Sequence, residues 1–464
     1  MIPEPPGTEP SGTGPARLPA PGAAVPRRRA MASMGALVAG TGVLGVGAGA
    51  YGKGLTTPAG HGYDVRDFGA SGDGVADDTG ALQDALDAAR ASGGIVFVPP
   101  GVYLTRRLAL GSRVHLRGAG GDATVLRLAP DANTAVLESA GFDAGGRGRG
   151  DGGIHGFSVR DLTVDGNRAQ GNPVGCGLRL YGYGYELADV TVFGCGADGV
   201  ASVWGTAGDL PSPSHQMESR VTGLRTHDNG GHGVNFAGPH DSMFVNCLSF
   251  QNGGAGFQMA GNAYGTLMVN CHAWGVRQKV SFELAASGIG CVNCYADLDG
   301  GVGVRISRND CRWVAGYVQG ANHAGPATEI GVQFVPGARP EEPAGSTIDT
   351  QIRNCATAAV DFGADRGLSS VRATLSQPGV TGRAGTGRGW IGRPARNTQV
   401  EITHGLGHPT KNLVVRPAFD LRSEQTPVPP DDGAVRVFAR EQGGQVQLCV
   451  RFPDGSVQVL AAGN

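Results

Sequence analysis

Between residues 199 and 304 the apolar positions recur in step with the small and polar ones, and the step is about 23 residues. Asn246-Cys247, Asn270-Cys271 and Asn293-Cys294 each follow a valine (Val245, Val269, Val292), at spacings of 24 and 23. A second landmark, glycine plus an apolar residue, recurs at Gly199-Val200, Gly233-Val234, Gly256-Phe257 and Gly303-Val304. Lys279-Val280 is expected to occupy it without the glycine. Two independent landmarks sharing one period define a repeat. Apolar runs of three to five residues, punctuated by Gly, Asn and Asp, read as short strands, and no helical period fits between them. Short strands, turns and a 23-residue period predict stacked coils, each adding one rung to parallel sheets. The predicted fold is all-β, a single-stranded right-handed parallel β-helix.

The same register assigns the cysteines. Leu162, Val190, Leu224, Cys247, Cys271 and Cys294 fall at one coil position. Leucine and valine share it, so it faces the core and the thiols act there as small hydrophobes. Cys291 and Cys294 form a Cys-x-x-Cys, but a zinc site would need a second such pair or nearby histidines. Asn167, Asn229 and Asn252 share a turn position and predict a ladder of asparagines bonded from coil to coil.

Ahead of the repeats lies one convincing helical pattern. Leu82, Ala85, Leu86 and Ala89 lie on one face, with Asp78 placed to cap the start and Gly93 to stop the helix. It is preceded by Tyr63-Asp64-Val65-Arg66-Asp67-Phe68-Gly69 and Gly72-Asp73-Gly74, and followed by the buried run Ile95–Val98 and the turn Pro99-Pro100-Gly101. This order resembles the N-terminal module of the pectate-lyase superfamily, with its rhamnogalacturonase-like and epimerase-like members. The resemblance is close over about residues 62–130 and architectural to about 335. Such a helix covers the strand edges and core that an open solenoid end would expose. Asp73, Asp77 and Asp78 are then turn and capping residues. Calcium is the ion their carboxylates would take on the alternative reading; the sequence names no other cofactor and no metal-ligand set.

The resemblance implies a carbohydrate-active protein degrading an acidic polysaccharide by β-elimination or hydrolysis, with elimination favoured. The alternative is a non-catalytic glycan-binding or phage-tail-spike-like structural protein. Gly231-His232-Gly233 looks like the Gly-His-Gly of polygalacturonase-type hydrolases, but Asp198 stands alone one coil earlier, without the second aspartate of a two-carboxylate mechanism. Read by the period, His232, Lys279, Glu283 and Arg305 are the catalytic candidates on one outward face, with Asn235, Gln258 and Asp198 binding substrate. A lyase needs a base for the proton α to a uronate carboxylate, here His232 or Glu283. It also needs a cation to hold that carboxylate, here Lys279 or Arg305. A long insertion at Gly205–Met217 is expected to wall this face.

Composition narrows the setting. The 464 residues include 81 Gly and 28 Pro, only 17% are charged, and the formal net charge is −2. That balance excludes a basic nucleic-acid binder. Residues 1–26 carry no apolar period. Arg27-Arg28-Arg29 then precede an uncharged run from Met31 to Ala50 containing six glycines. Basic, apolar, then small is the order of an export signal, and the paired arginines resemble a twin-arginine leader. A secreted protein without stable membrane insertion follows. The expected domains are a signal peptide over 1–50, the β-helix over 51–383, and a C-terminal β region or cap over 384–464. In the last, Pro453-Asp454-Gly455 joins two alternating runs as a hairpin turn. That end resembles short modules of phage-tail-type β-helices, which implies a homotrimer.

Overall fold

The structure is a computed structural model. It describes residues 62–140, 142, 153–204, 217–298, 300–320, 329–355, 357–376, 388–391, 399–404, 436–442 and 445–463. The export leader expected over 1–50 lies outside these residues.

One coil shows how the sequence builds the rest. Val234–Ala237 is a strand with Val234 and Phe236 inward and Asn235 and Ala237 outward. The chain turns, runs through Met243–Val245, bends at Asn246, runs through Leu248–Phe250, and turns again into Ala255–Ala260, one rung further on. Every strand pairs in parallel with its copy in the next coil. The described strands stack into a 12-stranded sheet and a 20-stranded sheet that each coil crosses twice. This is the right-handed parallel β-helix that the period predicts.

The bend in each coil requires left-handed backbone. Asn246, Asn270 and Asn293 have φ of 55°, 54° and 51°, and Asp161, Asp189 and Gly223 take the same bend earlier. Asparagine and aspartate tolerate this region better than other side chains. The residue after each bend turns straight into the core. Leu162, Val190, Leu224, Cys247, Cys271 and Cys294 are all buried, and all nine cysteines are free thiols.

A different set of asparagines makes the exposed ladder from the one the sequence suggested. Asn293 Nδ2 donates to Asn270 Oδ1 at 2.8 Å and Asn270 Nδ2 to Asn246 Oδ1 at 3.2 Å. Asn229 and Asn252 do form a buried ladder: Asn229 Nδ2 donates to Asn252 Oδ1 at 3.0 Å, and Asn252 Nδ2 donates to Gln278 Oε1 at 3.1 Å. Asn167 is not part of it and donates to the Leu128 carbonyl.

The N-terminal end is closed by the helix Thr79–Ser92, which buries Leu82, Ala85, Leu86 and Ala89. Asp78 occupies the N-cap position, but its carboxylate accepts from the Ser71 and Gly72 N–H groups instead. The bond to the Thr79 N–H comes from Asp77, at 3.0 Å. Asp73 accepts from Val75 and Ala76. These carboxylates therefore hold backbone, and no group of three metal-ligating side chains occurs among the described residues. At the other end, parallel pairing continues to Gln399–His404 rather than stopping near 383. Arg436–Gln442, Gln445–Arg451 and Val457–Gly463 form a separate antiparallel sheet. No described helix is long and apolar enough to cross a membrane.

Candidate functional site

The outward face of the 12-stranded sheet carries a registered row of six polar residues. Alternation puts Val234, Phe236, Phe257, Met259, Phe282 and Leu284 inside and leaves Asn235, Gln258 and Glu283 between them, facing outward. Asn235, Gln258, Glu283, Arg305, Gln333 and Asp361 are consecutive register partners. They bond along the axis. Gln258 Nε2 donates to Glu283 Oε2 at 3.0 Å, and Arg305 Nη1 lies 3.7 Å from Glu283 Oε1. Arg305 Nε donates to Gln333 Oε1, and Gln333 Nε2 to Asp361 Oδ2. Rungs of a parallel sheet are about 4.8 Å apart, so Asn235 and Arg305, three rungs apart, are separated by about 14 Å.

Four of the expected residues, Asn235, Gln258, Glu283 and Arg305, thus share one row. Two details of the expected register are corrected. Ser281, not Lys279, is the partner of Gly256, and it is buried. Glu283 stands beside Gln258 rather than two residues beyond it. The coil from Gly256 to Ser281 is 25 residues long and the next, to Gly303, is 22. The core sets this register, with the Phe257 and Phe282 rings stacked at 5.2 Å.

Asp198, His232 and Lys279 lie at the edge where the chain enters this sheet. Asp198 accepts from the His232 N–H at 2.7 Å and from Asn235 Nδ2 at 3.0 Å. His232 Nδ1 accepts from the Ala255 N–H at 2.9 Å. That bond places the ring proton on Nε2 in the neutral form, so His232 presents a donor outward and its lone pair is engaged. Lys279 is exposed, its chain flanked by Gly254 and Gly301 on the adjoining rungs. It makes no ion pair among the described residues. Its row is that of Gly254, not that of His232.

The opposite edge, where the chain leaves the sheet, is an aromatic rim that the period did not reveal. Tyr183 and Trp204 lie 6.2 Å apart, Trp204 and His240 5.6 Å, and His240 stacks on Tyr264 at 4.5 Å. His240 Nδ1 is 2.6 Å from Asp241 Oδ2, and Nε2 has no hydrogen-bond partner among the described residues. A carboxylate on Nδ1 fixes the tautomer and leaves Nε2 as a base, the arrangement a proton-abstracting histidine needs. Behind it, the Tyr185 hydroxyl donates to Ser202 Oγ, which donates to the Gly238 carbonyl, both at 2.8 Å. His240 follows a Gly-Pro turn outside the repeat, and its one signal in the sequence is an adjacent His-Asp pair. Residues 205–216 of the expected walling insertion lie outside the described residues.

The helix cap, the parallel coils and the bonded polar sheet face define the class as a parallel β-helix solenoid. Residues 63–281, just under half of the chain, match the family described as rhamnogalacturonase A/epimerase, pectate lyase-like. Mannuronan C5-epimerase AlgE6 of Azotobacter vinelandii is 40% identical over 116 residues, which are 23% of this chain and 13% of that protein. Alginate lyase 7 of the same organism is 33% identical over 220 residues, 44% of this chain and 24% of that protein. The chain spans less than a quarter of the length of these two relatives. Among solved structures, ORF18 of Geobacillus virus E2 superposes with a TM-score of 0.53 at 15% identity, covering 87% of this chain and 76% of that one. That likeness is one of fold.

Proposed function

We propose that this protein is an exported carbohydrate-active enzyme that removes the proton α to the carboxylate of a uronate unit in an acidic polysaccharide. Both C5 epimerisation and eliminative cleavage begin with that step. In the first the carbanion is reprotonated from the other face of the sugar. In the second it expels the glycosidic oxygen at C4 and leaves a double bond between C4 and C5. The activities of the relatives, mannuronan C5-epimerases and an alginate lyase, support this chemistry over hydrolysis.

The observation that carries the reading is His240, oriented by Asp241 at the rim of the polar face. His240 takes the base role expected of His232 or Glu283, because His232 has its lone pair engaged and Glu283 is bonded to Gln258 and Arg305. Asn235 lies on the rung of His240 and faces the reacting unit. Arg305 is three rungs on, about 14 Å away. Arg305 and Lys279 therefore bind carboxylates of sugar units further along the polymer, while Gln258 meets hydroxyls between these and the reacting unit and Asp198 meets hydroxyls one rung before it. The leader motif supports export by the twin-arginine route.

The test is incubation with mannuronan in D2O. Deuterium at C5 without chain cleavage marks an epimerase, ultraviolet absorbance of unsaturated ends a lyase, and reducing ends with neither a hydrolase. His240→Ala is expected to lower the rate about 10²–10⁴-fold. Activity within a few-fold of wild type in that variant would remove His240 from the mechanism. The second reading, a glycan-binding protein without catalysis, draws on the mutual bonding of the polar row. It predicts mannuronan binding with none of the three products.

A further inference from the structure

Where the 12-stranded sheet hands the chain to the 20-stranded sheet, the turns of successive coils line an open cavity of about 350 Å³. Its polar lining is His115, His155, Tyr183, Glu186, Glu218 and Arg220. His115, Glu186 and Arg220 belong to one outward row, on rungs that also carry Ser158. His155 and Tyr183 are register partners with rings stacked at 5.5 Å. Beneath them Phe157 and Tyr185 stack at 5.0 Å and are buried, which gives the cavity a rigid apolar floor.

Much of the hydrogen-bonding capacity here is unused. Glu218 and Arg220 make no ion pair among the described residues, although they lie two residues apart. The Tyr183 hydroxyl and the His155 ring nitrogens have no partner there either. His115 engages only Nδ1, with Ser158 Oγ at 3.0 Å. Glu186 is ion-paired with Arg160 at 3.7 Å, which leaves its hydrogen-bond acceptor positions open to a ligand.

The lining selects among ligand classes. A divalent cation needs several gathered carboxylate or imidazole ligands, and no such group of three is present among the described residues. A phosphate or sulfate would face two carboxylates with only one guanidinium beside it. A pyranose fits both halves of the set. A carboxylate accepts from adjacent hydroxyls, a guanidinium and imidazoles donate to oxygens, and aromatic carbons meet the C–H face of the ring.

We propose that this cavity binds one pyranose unit of a glycan through its hydroxyls, with Glu218 and Arg220 as the principal contacts. The site lies off the catalytic face yet adjoins its rim, because Tyr183 lines the cavity and also packs towards Trp204, which leads to His240. It rests on the carbohydrate reading above for the source of the sugar, but not on which residue takes the proton.

The test is calorimetric titration of the full chain carrying His240→Ala, to prevent turnover, with mannuronan trisaccharide and with neutral mannotriose. Recognition through hydroxyls requires both to bind. Glu218→Gln and Arg220→Ala, added singly, are each expected to weaken mannotriose binding by about tenfold or more and to weaken one of two classes of site for the mannuronan trisaccharide as much, with the unfolding midpoint unchanged. Arg305→Ala, on the sheet face, is expected to leave mannotriose binding unaltered. Failure of either sugar to bind overturns the proposal, as does affinity unchanged by both cavity variants. Loss of the acidic sugar alone, in Arg220→Ala alone, would make this an anion site and overturn it equally. Binding lost only in Arg305→Ala would sink the cavity while leaving the catalytic face standing. A protein inactive on every polysaccharide whose mannotriose binding is lost in Glu218→Gln would do the reverse.

Discussion

Replacing Asn252 by alanine cuts the internal ladder at its centre. Asn252 is fully buried. Its Oδ1 accepts from the Asn229 N–H at 3.2 Å and from Asn229 Nδ2 at 3.0 Å. Its Nδ2 donates to Ser249 Oγ and to Gln278 Oε1, both at 3.1 Å. In the variant the Asn229 N–H and the Gln278 carbonyl oxygen lose these partners inside the coil, where water does not replace them. A stranded buried group costs about 1–3 kcal/mol, so two cost roughly 4 kcal/mol. Asn270 is the contrasting case. It also bonds to copies above and below, but at the exposed bend, where water substitutes, and glycine takes its left-handed φ of 54° without a clash. Asn270→Gly should cost less than about 1 kcal/mol, and Asn270→Ala about 1 kcal/mol more for the left-handed Cβ. Urea unfolding followed by circular dichroism gives all three values. If Asn252→Ala were no more damaging than Asn270→Ala, the buried ladder would not hold the coils together and this reasoning would fail.

Two other predictions concern titratable groups. Burial pushes the Cys311 and Cys355 thiols up to about 12, and only Cys176 of the nine free cysteines is more than marginally accessible. A thiol reagent should therefore label at most one cysteine in the native protein and nine after denaturation; rapid native labelling of two or more would contradict the core assignment. The Thr79 hydroxyl and N–H hold the Asp77 carboxyl below the usual carboxylate range. Its stabilisation of the helix start is complete above the unfolded value near 3.8 and is lost as pH falls through the lower folded value. Asp77→Asn should thus lower the melting temperature slightly at pH 7 and make no difference well below pH 3, and an effect that grew on acidification would refute the sign.

The solenoid was legible in the sequence because each coil meets nearly the same neighbours, so the same residue types recur at the same places. Asn246-Cys247 and its copies announce a left-handed bend followed by a core position, and Leu82, Ala85, Leu86 and Ala89 announce the capping face; these rules are local and need no partner to be read. The same logic put Asn235, Gln258 and Arg305 in one outward row. Its register through Lys279 and Glu283 was not legible. A coil of 25 residues followed by one of 22 gives nearly the same total as two even coils, and only the stacking of Phe257 on Phe282 decides where the slack lies. The aromatic rim and the turn cavity were hidden for a related reason. Tyr183, Trp204, His240 and Glu218 sit in turns, where the period carries no information, and their proximity is created by coils stacking 4.8 Å apart. Repetition determined the scaffold, while the chemistry that departs from repetition was decided by which turns the stacked coils bring together.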